Sequence, residues 1–217
     1  MRLKEYQSAA LDALSAYLRT LRGELQKRAE ELTALENIPE PTRSRMMAQL
    51  GDPTVAAWEV AKTQGFVASP DAWRPLKDGT GQSIPHICLK LPTGGGKTLL
   101  AGHGVDRVLV SHFRQTTGFV LWIVPSEAIY RQTRAQLADR AHPIRQTLDR
   151  ASAGRVKVLE KLDRFTKQDV EERLCILLLM LQSTGRKDKE TLKVFRDSGR
   201  YMSFFPQDEP LSRLSLA

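Results

Sequence analysis

The sequence is short of cysteine and contains no long apolar run, and each absence excludes a class of protein. Only Cys88 and Cys175 occur among 217 residues, which excludes a disulfide framework and leaves no zinc-site spacing. Both lie in apolar stretches, and we interpret them as reduced core residues. The longest apolar run, residues 174–181, is far shorter than the ~20 residues of a membrane span. The N-terminus also lacks a secretory signal, so we expect a cytoplasmic protein without a membrane partner.

The chain carries an excess of basic side chains. Its 33 Lys and Arg residues against 25 Asp and Glu residues leave a formal net charge of +8, and the isoelectric point is about 9.7. Such an excess favours a polyanionic partner, and nucleic acid is the usual one. A basic but inert solvated surface explains the same numbers. The charge therefore supports a nucleic-acid hypothesis without establishing it.

Residues 1–80 predict a helical N-terminal segment. Leucines recur at spacings of three, four and seven between residues 3 and 36, which indicates one long amphipathic helix. Gly23 weakens the pattern without ending it. The apolar stripe consists of Leu11, Leu14, Leu18, Leu21, Leu25, Leu32 and Leu35. We expect this stripe to pack on the protein's own surface; the alternative is an insertion that grips DNA or docks a partner subunit.

Prolines mark the end of the long helix and the start of another. Pro39 and Pro41 cannot continue the helical pattern. Asp52 and Pro53 predict the cap and the first turn of a second, shorter helix. Residues 69–85 are rich in Pro, Gly, Asp and Ser, which predicts a loop.

Apolar strands alternate with helices from residue 86 onwards. Strands are expected at residues 87–91, 118–124, 156–159 and 174–181. Helices are expected from Thr98 to about Phe113, from Ser126 through Asp139, from Pro143 to about Ala151 and, with Thr166 or Asp169 as the cap, just before the last strand. This order predicts a parallel sheet covered on both faces, hence an α/β domain at residues 81–217.

A glycine-rich loop follows the first expected strand. Residues 91–98 read Leu-Pro-Thr-Gly-Gly-Gly-Lys-Thr, and glycines let successive backbone N–H groups curl around phosphate oxygens. The next helix adds the positive end of its dipole. Lys97 is expected to reach the β- and γ-phosphates of a nucleotide, and the Thr98 hydroxyl to ligate Mg²⁺.

The loop departs from the strict phosphate-loop pattern because Leu91 occupies the first glycine position. The alternative is a surface turn that happens to contain Gly-Lys-Thr. The strand expected before the loop and the helix expected after it favour a nucleotide site for ATP and Mg²⁺. The expected contacts come from Pro92, Thr93, Gly94, Gly95, Gly96, Lys97 and Thr98.

With this loop the chain resembles the superfamily-two helicases, most closely the DEAD/DEAH-type family that includes the Res subunits of type III restriction enzymes. The resemblance covers most of residues 1–205 and implies a RecA-like ATPase lobe that acts on DNA. Tyr6 and Gln7 are similar to the family's Tyr-Gln element, in which the glutamine reads the adenine edge and the aromatic residue packs nearby. The alternative for Gln7 is an exposed residue on the first helical turn.

Two further segments carry the resemblance. Pro125 and Ser126, followed by a helix with Gln132, resemble the family's motif after its second strand. This implies contacts from Ser126 and the helix N-terminus to phosphates of the tracked DNA strand; a capped helix without a ligand is the alternative. Residues 179–183 resemble the strand end before a long insertion, and residues 195–206 fit that insertion.

The residues for hydrolysis are not recognisable in this sequence. In the resembled family an Asp-Glu-x-His box holds Mg²⁺ and positions the attacking water, and an arginine comes from a second lobe. The pair Asp208-Glu209 lacks the histidine and follows Phe-Phe-Pro-Gln, so we interpret it as unrelated to the box. Catalytic residues therefore stay unknown, and the RecA-like lobe is expected to be incomplete at its C-terminus, as in a fragment of a larger motor.

These patterns favour the ATP-binding front part of a DNA helicase or translocase that binds nucleotide weakly and does not sustain hydrolysis alone. The implied partners are DNA and either the remaining helicase lobe or a modification or restriction subunit. One alternative is a non-catalytic module that binds nucleic acid or a partner. Another is a phosphate-loop kinase, which normally keeps the first glycine. The histidines have no metal-ligand spacing with the cysteines and are treated as ordinary residues; they are His86, His103, His112 and His142.

Overall fold

The computed structural model describes residues 3–67, 73–78 and 81–181. The chain forms two compact units that divide between Pro92 and Thr93. The segment expected to form the long insertion, residues 195–206, and the Asp208-Glu209 pair lie outside the described residues.

One long helix, α1 (Glu5–Leu35), organises the N-terminal unit close to its predicted bounds. The apolar stripe is confirmed mainly in the first half of the helix. Its buried members are Leu11, Leu14, Leu18, Leu21 and Leu35. For Leu25 and Leu32 the packing prediction is wrong, since their side chains are 40% and 37% exposed. The reason is that the helix packing on α1, α3 (Pro53–Thr63), meets it around Tyr17 and Leu21.

A short helix that the sequence analysis missed, α2 (Thr42–Gln49), lies between these two helices. Pro41 is its N-cap residue, and a proline is compatible with that end of a helix because no intrahelical N–H bond is needed there. Pro39 and Pro41 were interpreted only as the end of α1. No side chain of α2 is buried, so no apolar period revealed the helix in the sequence.

The start of α3 is confirmed at Pro53, with Asp52 as its N-cap. The Asp52 carboxylate accepts hydrogen bonds from Thr54 N–H at 2.8 Å and from Thr54 Oγ1 at 2.7 Å. It also accepts one from Ser83 Oγ, which lies far along the chain. This single carboxylate therefore joins the start of α3 to the segment that follows it.

The predicted loop at residues 69–85 contains a small hairpin. Its strands are β1 (Leu76–Lys77) and β2 (Ser83–Ile84), which pair antiparallel. The turn between them is closed by Asp78, whose carboxylate accepts from Gln82 N–H at 3.0 Å. Strands of two residues leave no alternating pattern, so the turn-rich composition predicted only a loop.

The prediction of a strand at residues 87–91 is wrong. The structure assigns no strand to this segment, and the side chains of Ile87 and Leu89 are 41% and 37% exposed. A strand needs a partner to accept its backbone hydrogen bonds, and within the described residues none pairs with it.

The two cysteines differ in burial. Cys88 is exposed, which corrects its interpretation as a core residue. Cys175 is buried as expected, and burial raises the pKa of its thiol.

The C-terminal unit alternates helices and strands, as predicted. Its helices are α4 (Lys97–Arg107), α5 (Glu127–Ala138), α6 (Pro143–Ala151) and α7 (Lys167–Glu172). A π-helical segment, Val108–Phe113, extends α4 to the predicted end. Thr166 caps α7, and its hydroxyl accepts from Asp169 N–H at 3.2 Å. In the part of the chain that the structure describes, no helix is both long and apolar enough to cross a membrane.

The sheet of this unit has three parallel strands, β3 (Gly118–Val124), β4 (Val156–Leu159) and β5 (Leu174–Met180). Their order is β3-β5-β4, so the last strand of the sequence lies in the middle. Residues 174–179 of β5 are all buried, as expected for a central strand covered on both faces. The α/β class with a parallel sheet, consistent with a RecA-like lobe, is confirmed.

Helices cover the two faces of the sheet. On one face Val170 of α7 and Phe165 pack on a buried cluster, and Phe165 stacks on Phe119 of β3 at 5.1 Å between ring centroids. The cluster consists of Leu159, Cys175, Leu177 and Leu179. On the other face α5 adjoins Val158 and Met180. Because the three strands are parallel, their carboxyl ends lie at one edge of the sheet. The chain passes from the end of β3 into α5 at this edge.

Replacement of Asp52 by alanine is expected to lower the free energy of unfolding by about 1–2 kcal/mol, because an N-cap and its hydrogen bonds are lost. Burial raises the pKa of Asp52, but hydrogen bonds from Ser83 and Thr54 outweigh it and leave the pKa below its ordinary value. The carboxylate thus stabilises the fold above its unfolded pKa of about 4, and that stability is lost as pH falls through the folded pKa.

Thermal unfolding measured from pH 7 to pH 3 tests this expectation. Asp52→Asn is the matched control, since it keeps a capping oxygen without the titration. Equal stability of wild type and Asp52→Ala at pH 7 would contradict the role assigned to the carboxylate.

Candidate functional site

The glycine-rich loop turns through two residues with left-handed backbone. Gly94 has φ of 74°, and Gly96 has φ of 76° with ψ of 38°. This conformation costs a residue with a side chain roughly 1–2 kcal/mol, so the path of the loop requires glycine at both positions. Gly96 is the N-cap of α4, and its carbonyl accepts from Leu100 N–H at 2.9 Å. The glycine-rich loop therefore leads directly into the first turn of α4.

Packing holds α4 in place behind the loop. Leu99 and Leu100 are buried, and Gly102 lies close to α6. A Cβ atom at Gly102 would come within 3.0 Å of Ile144 Cγ2, so the small residue permits the close approach of the two helices. The amino end of α4 is thus fixed by its own core contacts.

The first turn of α4 presents a cationic and a hydroxyl side chain. Lys97 is exposed and Thr98 is half-buried, and the positive end of the helix dipole lies at the same place. Space beside the loop is open, because a Cβ at Gly94 would meet no atom within 4 Å. Backbone turn, helix end, ammonium and hydroxyl together suit a bound polyphosphate with a divalent cation.

The structure places the other predicted nucleotide contacts as follows. Pro92 and Thr93 are exposed and Gly95 is buried within the loop. Since residues 87–91 form no strand, only the helix half of the expected strand–loop–helix context is present. The loop geometry itself, and not the preceding segment, carries the interpretation.

Tyr6 and Gln7 lie on the first turn of α1 in the N-terminal unit. Gln7 is only 4% exposed, so the alternative that it is an exposed surface residue is wrong. Its Oε1 accepts a hydrogen bond from Lys4 N–H at 2.9 Å, which fixes the side chain at the start of the helix. Tyr6 is 39% exposed.

Pro125 and Ser126 end β3 and start α5, as predicted. Both are exposed, and Ser126 is the N-cap of α5. Its Oγ lies 3.5 Å from Ile129 N, which is at the outer limit of a hydrogen bond. The hydroxyl is therefore only weakly engaged by its own helix.

A groove with a volume of about 480 Å³ runs beside α5 at the carboxyl edge of the sheet. Tyr130 Oη donates to Glu160 Oε2 at 2.9 Å, and Arg134 Nε donates to Glu160 Oε1 at 2.6 Å. Arg131, also in the lining, forms an ion pair with Glu127. Exposed pairs of this kind contribute at most about 1 kcal/mol, so each arginine is available for exchange onto another anion.

Tyr130 serves this groove as a neutral donor. Burial, and then its hydrogen bond to Glu160, raises the pKa of Tyr130 to about 12, so the hydroxyl keeps its proton at physiological pH. Tyr130, Arg131 and Arg134 were not predicted from the sequence. Their spacing along a helix that follows Pro-Ser was the available signal, because residues three and four apart share one helix face.

Within the described residues, no group of three His, Cys, Asp or Glu side chains is placed to hold a metal ion. His142 is used structurally, since its Nδ1 accepts from Ile144 N–H at 3.3 Å at the start of α6.

The family model described as type III restriction enzyme, res subunit, matches residues 1–202, which include residues of both units. Searches of curated proteins and of solved structures found no match.

Proposed function

The chain belongs to the family of type III restriction enzyme res subunits, and we propose that it is the ATP-binding front part of a DNA helicase- or translocase-type ATPase. The left-handed turn at Gly94 and Gly96, which leads into the exposed amino end of α4, is the observation that carries this proposal. It supports a phosphate site because the backbone and the helix dipole favour an anion at the same place.

Different residues of the loop bind different parts of Mg·ATP. The backbone N–H groups from Gly94 to Gly96 bind phosphate oxygens, and the Lys97 ammonium neutralises charge on the β- and γ-phosphates. The Thr98 hydroxyl ligates Mg²⁺. The bound nucleotide supplies the phosphoryl bond whose hydrolysis drives such motors, and the chain's own residues orient it.

Gln7 is proposed to recognise the adenine edge, with Tyr6 packing beside the base. A glutamine amide both donates and accepts, which matches the adenine N6 and N7 positions. The bond from Lys4 N–H to Gln7 Oε1 supports this role, since an amide whose rotation is restricted recognises its ligand at a lower cost in entropy.

The carboxyl edge of the sheet is proposed to contact the phosphates of DNA. Ser126 contributes an exposed hydroxyl, the amino end of α5 contributes its dipole, and Arg131 exchanges its Glu127 partner for a phosphate. The net charge of +8 favours the same polyanion. Such contacts position a strand without reading its bases.

Binding without sustained turnover is proposed for the chain alone. Its Asp-Glu pair at Asp208-Glu209 lacks the histidine of an Asp-Glu-x-His box, and a water-positioning carboxylate is needed for hydrolysis. The partners we propose are a second motor lobe or a modification or restriction subunit. The same absence favours the second candidate function, a non-catalytic module that binds DNA or a partner.

Lys97→Ala is expected to abolish measurable Mg·ATP binding, because it removes the one charge that the loop directs at the terminal phosphates. Calorimetric titration measures the affinity, and Lys161→Ala, at another exposed lysine of the same unit, is the matched control. Unchanged affinity in Lys97→Ala would refute the phosphate-loop assignment.

Gln7→Glu is expected to reduce the preference for ATP over GTP by roughly fivefold or more, because the amide donor is lost. The glutamate keeps an oxygen for Lys4 N–H, so the melting temperature should change little. Gln7→Ala loses both the oxygen that accepts from Lys4 N–H and the amide donor. Competition titrations with the two nucleotides measure the preference. A preference that survives both substitutions would remove Gln7 from the site.

Arg131→Ala is expected to weaken binding of single-stranded DNA roughly three- to tenfold at low salt. Loss of one phosphate contact also reduces the slope of log K against log salt by about 0.7. Arg173→Ala is the control, because this exposed arginine lies just before β5, at the opposite edge of the sheet. Fluorescence anisotropy measures both affinities. Equal effects of the two substitutions would indicate a non-specific contribution of positive charge and not a contact specific to Arg131.

A further inference from the structure

Four aromatic rings form a continuous series in the N-terminal unit. Tyr17 of α1 lies 6.5 Å from Trp58 of α3 and 6.2 Å from Trp73, between ring centroids. Trp58 and Trp73 are 4.9 Å apart, and Trp73 stacks on His86 at 4.3 Å with an interplanar angle of 24°. We call these four residues the aromatic series.

Exposure increases along the series. Tyr17 is 4% exposed, Trp58 and Trp73 are half-buried, and His86 is exposed. The series therefore begins in the core of the unit and ends on its surface with an imidazole ring, backed by an indole that is nearly parallel to it. An aromatic ring supported in this way offers a flat surface for another ring.

Hydrogen bonds hold the outer pair of the series in position. Trp73 Nε1 donates to Thr54 Oγ1 at 3.0 Å, and Thr54 in turn donates to Asp52. Asp52 also accepts from Ser83 Oγ, three residues before His86. The Trp73 indole and the segment that precedes His86 are thus both linked to the Asp52 carboxylate, which restrains the stacked pair before a ligand binds.

Basic side chains lie close to the stacked pair along the chain. Arg74 directly follows Trp73, Lys77 lies on β1 and Lys90 follows His86 by four residues; all three are exposed. The nearby Asp78 carboxylate is engaged by Gln82 N–H. Exposed rings among lysines and arginines are typical of surfaces that stack bases and track a phosphate backbone.

We propose that the His86–Trp73 pair is a stacking platform for a base of single-stranded DNA, with Arg74 and Lys77 contacting the adjacent phosphates. The inference rests on the proposed DNA-binding function and adds a second contact surface to it, in the N-terminal unit. It assigns affinity for unpaired bases to this surface, whereas Ser126 and Arg131 contact phosphates only.

The test compares the whole chain with its His86→Ala and His86→Phe variants. Each is titrated with a fluorescein-labelled oligothymidylate and with an abasic strand of equal length. His86→Ala is expected to weaken binding to oligothymidylate about fivefold or more, as removal of one stacking contact does. Its affinity for the abasic strand should equal that of wild type, and His86→Phe should restore binding because a phenyl ring also stacks.

Other outcomes separate this inference from the proposed function. An equal loss on both strands, or no loss on oligothymidylate, overturns the platform, while continued weakening of both strands by Arg131→Ala leaves the DNA-binding proposal intact. Failure of the wild-type chain to bind either strand overturns both. Melting temperatures of the variants check that each is folded. If His86→Ala has the melting temperature of wild type and binds oligothymidylate with unchanged affinity, His86 is not a stacking platform.

Discussion

Left-handed backbone at Gly94 and Gly96 is the constraint on which the proposed nucleotide site depends. These two residues reverse the chain so that it enters α4 at its exposed amino end, where Lys97 and the helix dipole lie together. A side chain at either glycine would cost roughly 1–2 kcal/mol and shift the loop path. The close approach of Gly102 to Ile144 then fixes α4 behind the loop, so the site is held by packing as well as by backbone conformation.

The sheet supplies a second, independent constraint. With parallel strands in the order β3-β5-β4, the carboxyl ends lie at one edge, and ligands of open α/β sheets bind at that edge. The groove beside α5 lies there, lined by Arg131, Arg134 and the Tyr130–Glu160 pair. The two proposed phosphate sites therefore lie in one unit, the glycine loop for a nucleotide and Arg131 with Arg134 for a DNA backbone.

Much of the fold could be predicted because its signals are local. The leucine period predicted α1, and the capping side chains of Asp52 and Ser126 predicted where two helices begin. For α7 the sequence left Thr166 and Asp169 as alternative caps, and the structure has Thr166. Apolar runs predicted β3, β4 and β5. In each case the residues that specify the element are within a few positions of it, so one sequence suffices.

The failures concern partners that lie elsewhere in the chain. Residues 87–91 have the composition of a strand, but pairing depends on a second segment, which no local pattern reports. The same applies to the groove, whose lining joins α5 to Val158 and Met180 on two other strands. Leu25 and Leu32 share the period of their buried neighbours, yet their exposure is set by where α3 meets α1. Tertiary contact, and not local preference, decided these cases.

A calorimetric titration of the chain with Mg·ATP, combined with a turnover assay in the absence and presence of DNA, tests the proposed nucleotide site most directly. Saturable binding at one site without sustained hydrolysis is expected, whether or not DNA is added. Absence of binding would contradict the nucleotide site at Gly94–Gly96 and α4. DNA-stimulated turnover would instead show that a carboxylate such as Glu209 completes the site, and the account of a lobe that requires a partner would fail.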